Sequence, residues 1–454
     1  MTQIDGHSRS PWKSAHIINE RYGHKLLFYF YGKAADDGKN PSGSPSMHAF
    51  DTRQLAAIAQ QYGAPLWIYH ADTIRRRIAE LSHFDTIRYA QKANSNTHIL
   101  RLMREQGVKV DAVSLGEIER ALAAGYQGGA QADIVFTADV LDRATLARVA
   151  ELGIPVNAGS IDMLSQLGAA SPGHPVWLRI NPGFGHGHSQ KTNTGGENSK
   201  HGIWHADLEL ALAEIRRHRL QLVGIHMHIG SGVDYGHLQR VCGAMVELVQ
   251  RLDCDIEAIS AGGGLSIPYR DGDARIDADH YFELWDEARR QIADRLGHPL
   301  RLEIEPGRFL VAESGVLLSE VRAVKNMGSR RFVLVDAGFN DLMRPSLYGS
   351  YHHITVLDAQ GAAKSGSVDT VVAGPLCESG DVFTQREGGT VEARPLPPAA
   401  VGDLLLFHDA GAYGATMSSN YNSRPLLAEV LVDGGAVRQI RRRQTMAELL
   451  ALEA

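Results

Sequence analysis

Short apolar runs alternate with amphipathic stretches through the middle of the chain. The apolar runs lie at residues 87–94, 110–114, 133–139, 155–160, 176–182, 222–230, 258–264 and 300–308. Helical patterns lie between them, and in residues 238–252 the apolar side chains recur at the spacing of one buried helical face. The alternation predicts eight β-strands separated by helices.

The number of strands bears on the choice between two folds. Eight β runs over about 220 residues, each followed by a helix or loop, fit a (β/α)₈ barrel. A doubly wound open sheet is the alternative fold that the same alternation of strands and helices allows. The eightfold count favours the barrel.

The alternation of strands and helices ends beyond residue 316, where β-rich runs follow one another with frequent Gly and Pro. We therefore expect a barrel over 67–315 and a second, mostly antiparallel β domain over 316–454. Residues 444–453 have the pattern of a short terminal helix. Residues 1–46 form an N-terminal extension, partly flexible because it contains a Gly/Pro/Ser-rich run. Residues 47–66 are a lead-in segment that we expect to pack near the β domain.

Composition excludes some classes of function. The 454 residues carry a formal net charge of −6, which argues against a nucleic-acid-binding surface. The chain begins without the apolar region of a signal peptide, and the apolar stretch at 26–31 is far shorter than the ~20 residues that span a bilayer. Three cysteines are too few and too scattered for a disulfide framework or a Cys-rich zinc site. We expect a soluble, cytoplasmic protein that binds no membrane.

Unusual residues collect at the C-terminal ends of the predicted strands, where a barrel carries its active site. Barrel strands normally place Val, Ile and Leu in the core, so charged residues there need a reason. The residues concerned are Lys92, Asn94, Arg179, Asn181, His226, His228, Gly230, Ser231, Gly262, Gly263, Gly264, Glu305, Gly307 and Arg308. Their coincidence predicts a functional site.

Taken singly, each group also has an ordinary interpretation. A lysine such as Lys92 at an apolar strand end can form an imine with a carbonyl, or it can be a surface lysine. The Gly262–Gly264 turn can bind a phosphate through backbone N–H groups, or it can be a tight loop. His226 and His228 share one face of a strand, and a ring stacked on a planar cofactor fits better than a metal pair without a third ligand.

Glu305 and Arg308 could form a structural ion pair. Cys377, between a Gly–Pro turn and two acidic residues, is expected to be exposed and chemically active.

Together these motifs resemble one family. The segments YAQKAN (89–94), HMHIGSG (226–232), GGG (262–264), EPGR (305–308), CESGD (377–381) and AYG (412–414) look like those of the pyridoxal-phosphate-dependent decarboxylases with an alanine-racemase-like barrel and a β domain. Segments 343–348 and 417–425 resemble the branch that converts meso-diaminopimelate into L-lysine, the last step of bacterial lysine synthesis. The likeness extends over residues 55–452.

The resemblance implies a pyridoxal 5′-phosphate cofactor and no metal. Lys92 would hold the cofactor as an imine, His228 would stack on its ring, and Glu305 would face the ring nitrogen. A carboxylate there keeps the nitrogen protonated, which favours decarboxylation over racemisation. The remaining cofactor contacts, mainly to the phosphate, would come from Arg179, Ser231, Gly262, Gly263, Gly264, Gly307, Arg308 and Tyr413.

The resemblance also implies the substrate contacts and a partner. The substrate would be bound by Arg308, Arg344, Tyr348, Glu378 and Tyr413, with Glu378 contacting the distal ammonium. Arginine binds a carboxylate through paired N–H donors, so Arg344 favours diaminopimelate over a diamine precursor. Cys377 of a partner subunit would return a proton after carbon dioxide leaves, so the sites would be shared in a homodimer.

Other functions stay open at this point. The chain could be a decarboxylase for another basic amino acid such as ornithine or arginine, or an amino-acid racemase. It could also be a cofactor-binding or regulatory relative without activity, although such relatives typically lack the lysine, the cysteine or the β domain.

Overall fold

The computed structural model describes residues 50–129, 133–185, 194–228 and 234–453. The predictions for the head, residues 1–46, and for Ser231 lie outside these residues. Within the described residues, none of the helices is long and apolar enough to cross a membrane.

Eight parallel strands close into a barrel. They are β2 (Thr86–Ala90), β3 (Lys109–Ala112), β4 (Ile134–Ala138), β5 (Val156–Ala158), β6 (Pro175–Asn181), β8 (Gln221–His226), β9 (Ala258–Ser260) and β10 (Arg301–Ile304). Each pairs in parallel with the next, β10 returns to β2, and the short strand β7 (Ile203–Trp204) adds to β6. Most of the side chains on these strands are buried, as expected for strands covered on both faces. The barrel prediction is confirmed, and each of the eight predicted runs contains or overlaps one strand.

Helices precede, connect and follow the barrel strands. They are α2 (Ala71–Ala79), α3 (Thr97–Glu105), α4 (Leu115–Ala123), α5 (Arg143–Leu152), α6 (Ile161–Ala170), α7 (Leu208–His218), α8 (Tyr235–Gln250), α9 (Ala278–Leu296) and α10 (Arg308–Val311). Helix α8 shows why the sequence pattern forms a helix. The Asp234 side chain accepts from the His237 N–H, and the predicted apolar face, including Val241, Met245 and Val249, is buried.

The second sheet is mostly antiparallel, as predicted. Its strands are β1 (Leu66–His70), β11 (Gly315–Met327), β12 (Arg330–Val335), β13 (Ile354–Leu357), β14 (Val368–Ala373), β15 (Arg394–Leu396), β16 (Leu404–Phe407), β17 (Ala428–Asp433) and β18 (Ala436–Arg441). Three helices accompany it, namely α1 (Thr52–Tyr62), α11 (Arg344–Tyr348) and α12 (Met446–Leu450). The buried side chains of α1, such as Leu55 and Ile58, pack against this sheet.

Strand β1 differs from the expectation that residues 67–315 form the barrel. It lies in the second sheet, antiparallel to β11 and parallel to β17. Because alternate side chains of a strand point to opposite faces, Leu66 and Ile68 pack with α1 whereas Trp67 and Tyr69 join the main core. Both faces of β1 are therefore buried. No strand was predicted over these residues, and only the boundary at residue 67 assigned them to the barrel.

A buried ion pair links the barrel wall to the start of the second sheet. Arg77 of α2 is 2 % exposed and donates through Nε to Glu313 Oε2 at 2.5 Å, with a second contact from Nη2. Glu313 lies in the turn directly before β11, and Phe309 packs under the guanidinium with its ring centroid at 4.6 Å from Cζ. Arg77 also contacts Glu80.

Removing Glu313 alone should destabilise the protein. We expect Glu313→Leu to lower the free energy of unfolding by about 3 kcal/mol, because Arg77 keeps a buried charge with a partner lost. The double variant Arg77→Met/Glu313→Leu should recover most of that loss. Urea unfolding followed by circular dichroism measures both, and an equal loss in the double variant would contradict the argument.

Candidate active site

A cavity of about 860 Å³ opens at the C-terminal ends of the barrel strands and is covered by loops of the second sheet. It brings together residues from β2, β3, β4, β6 and β8 with residues that follow β9, β10, β12, β14 and β16. Of the predicted site residues, the cavity is lined by Lys92, Arg179, His228, Gly264, Glu305, Gly307, Arg308, Arg344, Tyr348 and Tyr413.

Lys92 lies on a 3-10 turn, Gln91–Ala93, that follows β2 directly. Its neighbours are fixed on both sides: the Ala90 N–H donates to the Pro306 carbonyl at 3.1 Å, and the Tyr413 N–H donates to the Ala93 carbonyl at 2.8 Å. The Lys92 side chain itself is exposed to the cavity. A rigid turn therefore presents a primary amine to the cavity.

Glu305, just beyond β10, forms a buried pair with His226 at the end of β8. The His226 Nε2–H donates to Glu305 Oε2 at 2.7 Å, whereas the other oxygen is 3.4 Å from Ser260 Oγ. Burial alone would raise the pKa of Glu305, but the contact with His226 and the charge of Arg179 outweigh it and hold this pKa below its usual value. The site thus contains an ionised carboxylate with one oxygen held weakly.

His228 is held as a neutral ring. The Gly263 N–H donates to His228 Nδ1 at 2.7 Å, so the proton lies on Nε2. Burial and the charge of Arg179 hold the pKa of His228 well below its ordinary value. The ring is parallel to that of His226, with a 6° angle between the planes and 6.5 Å between the centroids.

The glycine turn after β9 leaves no room for side chains. A Cβ at Gly263 would lie 2.4 Å from the Glu305 carbonyl oxygen, and one at Gly262 would lie 2.4 Å from the Met227 oxygen. Gly262 and Gly264 also have φ of 62° and 95°, in the region that favours glycine. Backbone rather than side chains therefore approaches the cavity here.

Two arginines, the buried Arg344 and the half-buried Arg308, lie at the side of the cavity next to the second sheet. Arg308 Nη1 donates to the Tyr269 hydroxyl at 3.0 Å, and its Cζ lies 5.3 Å from the Tyr413 ring centroid. Arg344 Cζ lies 4.8 Å from the Tyr269 ring centroid. Among the described residues, neither guanidinium forms an ion pair with a carboxylate. Two cations without a carboxylate counter-ion, one of them buried, make this end of the cavity suited to bind an anion.

Cys377 and Glu378 do not line this cavity. Both are exposed on the loop after β14, where the Cys377 N–H donates to Asn422 Oδ1 at 2.9 Å. Cys242 is buried, and burial raises the pKa of its thiol to about 12. Of the three cysteines, Cys377 is the exposed one.

The cavity also contains residues that the sequence reasoning missed. Asp111, at the end of β3, is 3 % exposed, and its Oδ1 has no hydrogen-bond partner among the described residues. Burial and the nearby Glu305 hold its pKa well above the ordinary value. The sequence did contain an indication of Asp111, because a carboxylate inside a predicted buried strand is unusual. Tyr269 lies in a loop without a pattern, so nothing in the sequence pointed to it.

These residues fit pyridoxal 5′-phosphate. An aldehyde needs an amine, which Lys92 supplies, and a protonated ring nitrogen needs a carboxylate such as Glu305. A phosphate needs backbone donors and hydroxyl groups, which Gly264, Gly307 and Tyr413 offer in the cavity lining. The N–H groups of Gly262 and Gly263 donate within the protein, to Ser260 Oγ and His228 Nδ1. In the described part of the chain, no three His, Cys, Asp or Glu side chains are grouped so as to hold a metal ion.

Comparisons with known proteins agree with this chemistry. The family model described as the pyridoxal-binding domain of pyridoxal-dependent decarboxylases matches residues 71–312. The diaminopimelate decarboxylase of Escherichia coli K12 is 70 % identical over 402 residues, which cover 88 % of this chain and 96 % of that protein. The Streptomyces coelicolor diaminopimelate decarboxylase is 69 % identical over 407 residues, which cover 89 % of this chain and 92 % of that protein.

Solved structures give the same result. A crystal structure of diaminopimelate decarboxylase shares 67 % identity and superposes with a TM-score of 0.87, covering 91 % of this chain and 98 % of that one. The Helicobacter pylori diaminopimelate decarboxylase, crystallised with L-lysine, shares 31 % identity at a TM-score of 0.76, covering 88 % of this chain and 99 % of that one.

A side chain at Gly263 should weaken cofactor binding. In Gly263→Ala the new Cβ meets the Glu305 backbone, and overpacking of about 1–3 kcal/mol corresponds to a loss of about 5- to 150-fold in affinity. Fluorescence titration of the apoenzyme with pyridoxal 5′-phosphate measures this affinity. Gly243→Ala is the matched control, since a Cβ there meets nothing within 4 Å. Equal affinities in the two variants would contradict the close approach.

Proposed function

This chain belongs to the diaminopimelate decarboxylase family of pyridoxal-dependent decarboxylases, and we propose that it converts meso-2,6-diaminopimelate into L-lysine and carbon dioxide. The chain is thus a decarboxylase that uses pyridoxal 5′-phosphate, and its family acts in lysine biosynthesis. The observation that carries the substrate assignment is the pair of cavity arginines without a carboxylate partner among the described residues, the buried Arg344 and the half-buried Arg308. The cytoplasmic location stays a prediction.

When bound, pyridoxal 5′-phosphate joins the substrate amine through its aldehyde and accepts the electron pair that remains when carbon dioxide leaves. Lys92 supplies the amine that holds the cofactor between turnovers. Glu305 stabilises the proton on the ring nitrogen, and its weakly held Oε1 is the oxygen available for this. His226 keeps that carboxylate in place and ionised. A carboxylate in this position supports decarboxylation rather than racemisation.

The other end of the cofactor is assigned to the glycine turn. The backbone of Gly264 and Gly307 and the hydroxyl of Tyr413 would bind the phosphate, with Arg308 near them. Gly262 and Gly263 would shape the turn, since their N–H groups donate to Ser260 Oγ and His228 Nδ1. Tyr413 has φ of 56°, which is uncommon outside glycine, and its N–H is bonded to Ala93. The held backbone supports a fixed position for its hydroxyl. His228 would pack against the ring and Arg179 would lie beside it.

Arg308, Arg344 and Tyr348 would bind the carboxylate that the substrate retains. A guanidinium matches a carboxylate through paired N–H donors, so these residues select a substrate with a second carboxylate. Ornithine has no second carboxylate, and binding it here would leave buried cations unpaired. The charge at this end of the cavity therefore supports diaminopimelate over a diamine precursor.

Cys377 and Glu378 would enter the site from a second copy of the chain. Both are exposed and lie outside the cavity of their own chain, as a shared site requires. The Cys377 thiol would give its proton to the carbon that has lost carbon dioxide, and Glu378 would bind the distal ammonium. The protein would then act as a homodimer.

A carbon dioxide release assay tests the reaction. We expect release from meso-diaminopimelate that falls on dialysis, returns on adding pyridoxal 5′-phosphate, and is absent in Lys92→Ala. Ornithine and arginine should release little, because neither offers a second carboxylate to Arg344. Release from ornithine without release from meso-diaminopimelate would overturn the proposal.

Mixed dimers test the shared site. Lys92→Ala and Cys377→Ala should each be almost inactive, yet differently tagged subunits purified as a mixed dimer should show about half of the wild-type activity, because one of two sites is complete. Cys254→Ala is the matched control and should keep full activity. Mixed dimers as inactive as their parents, or a monomer in sedimentation, would contradict a shared site.

A further inference from the structure

His352 lies directly behind Arg344, outside the cavity. It is 2 % exposed and sits between α11 and β13. Arg344 Nη1 donates to His352 Nε2 at 3.0 Å, and His352 Nδ1–H donates to the His408 carbonyl at 2.8 Å. Each ring nitrogen therefore has one partner.

These two partners define the state of the ring. A guanidinium can only donate hydrogen bonds, so Nε2 must be an unprotonated acceptor and Nδ1 must carry the proton. Burial and the charge of Arg344 hold the pKa of His352 well below its ordinary value, in agreement with a neutral ring. His352 thus accepts from a buried cation without adding charge.

Contacts with both the ring and the backbone hold His352 in place. The Tyr269 ring meets the His352 ring edge to face at 5.8 Å, and Arg394 Nη1 donates to the His352 carbonyl at 2.8 Å. Arg394 Cζ in turn lies 4.1 Å from the Tyr351 ring centroid. A side chain held in this way is a fixed acceptor rather than a mobile one.

The guanidinium of Arg344 therefore has two contacts that set its orientation, and the two contacting rings also touch each other. The Tyr269 ring lies 4.8 Å from Cζ, and the His352 nitrogen accepts from Nη1. Without the second contact, the long side chain could rotate about its bonds and lose the paired geometry that recognises a carboxylate.

We propose that His352 is a positioning residue that orients Arg344 for the second carboxylate of the substrate, and so contributes to substrate specificity without touching the substrate. The inference rests on the proposed function, because it assigns the substrate carboxylate to Arg344.

Steady-state kinetics on meso-diaminopimelate test this role. His352→Phe keeps a ring but removes the acceptor, and we expect KM to rise by about tenfold or more while kcat changes by less than about threefold. His352→Gln offers an amide oxygen to Arg344 and should keep KM within about threefold of wild type. His353→Phe, the neighbouring residue, is the control and should leave both constants unchanged.

A double-mutant cycle shows whether His352 acts through Arg344. In the Arg344→Met background, His352→Phe should change KM by less than about twofold, because there is no guanidinium left to orient. Circular dichroism confirms folding, and His352→Leu replaces His352→Phe if that variant does not fold.

The possible outcomes separate the two proposals. Wild-type enzyme that releases no carbon dioxide from meso-diaminopimelate overturns the proposed function, and with it the premise of this inference. Active wild type with an unchanged KM in His352→Phe overturns the role of His352 alone. An equal rise in KM in both backgrounds, or a fall in kcat with constant KM, also overturns it.

Discussion

Closure of the parallel barrel is the constraint on which the site depends. Because β10 pairs with β2, the residues that follow these strands, Glu305 and Lys92, are placed at neighbouring positions although most of the barrel separates them in the sequence. In an open sheet the first and last strands would not need to meet. Closure thus places an amine and a carboxylate at the same end, and the second sheet supplies the cover.

The two ends of the cavity carry opposite charges, and the residues around each charge differ. At the barrel end, Glu305 is tied to His226 and lies near Arg179. At the end next to the second sheet, Arg308 and Arg344 are surrounded by aromatic rings and a neutral histidine instead of carboxylates. Aromatic faces stabilise a buried cation without neutralising it. The cavity therefore keeps a cationic end that can still bind an anion.

Much of the fold and the site could be predicted from the sequence because barrel strands give a strong signal. Strands buried on both faces are almost wholly apolar, so Lys92 and Glu305 stand out where those runs end. The barrel and the cofactor were predicted correctly. The predicted start of the barrel at residue 67 differs from the structure, because residues 66–70 form β1 of the second sheet, for which no strand was predicted.

Other parts of the site left no such signal. Tyr269 and His352 lie in segments without periodicity, and their importance comes from contacts with arginines that are distant in the sequence or hidden behind the cavity wall. Cys377 was identified by its neighbours, but its position outside the cavity could not be read from them. Contacts between side chains of different loops need the folded chain.

The position of β1 has a consequence for synthesis of the chain. Leu66 of β1 pairs with Ala428 of β17. Strand β1 is therefore synthesised early, whereas this partner strand is synthesised near the end of translation. Until then, both apolar faces of β1 lack their final cover. The second sheet is thus completed only after the barrel segment has been made, because the partners of β1 come later in the chain.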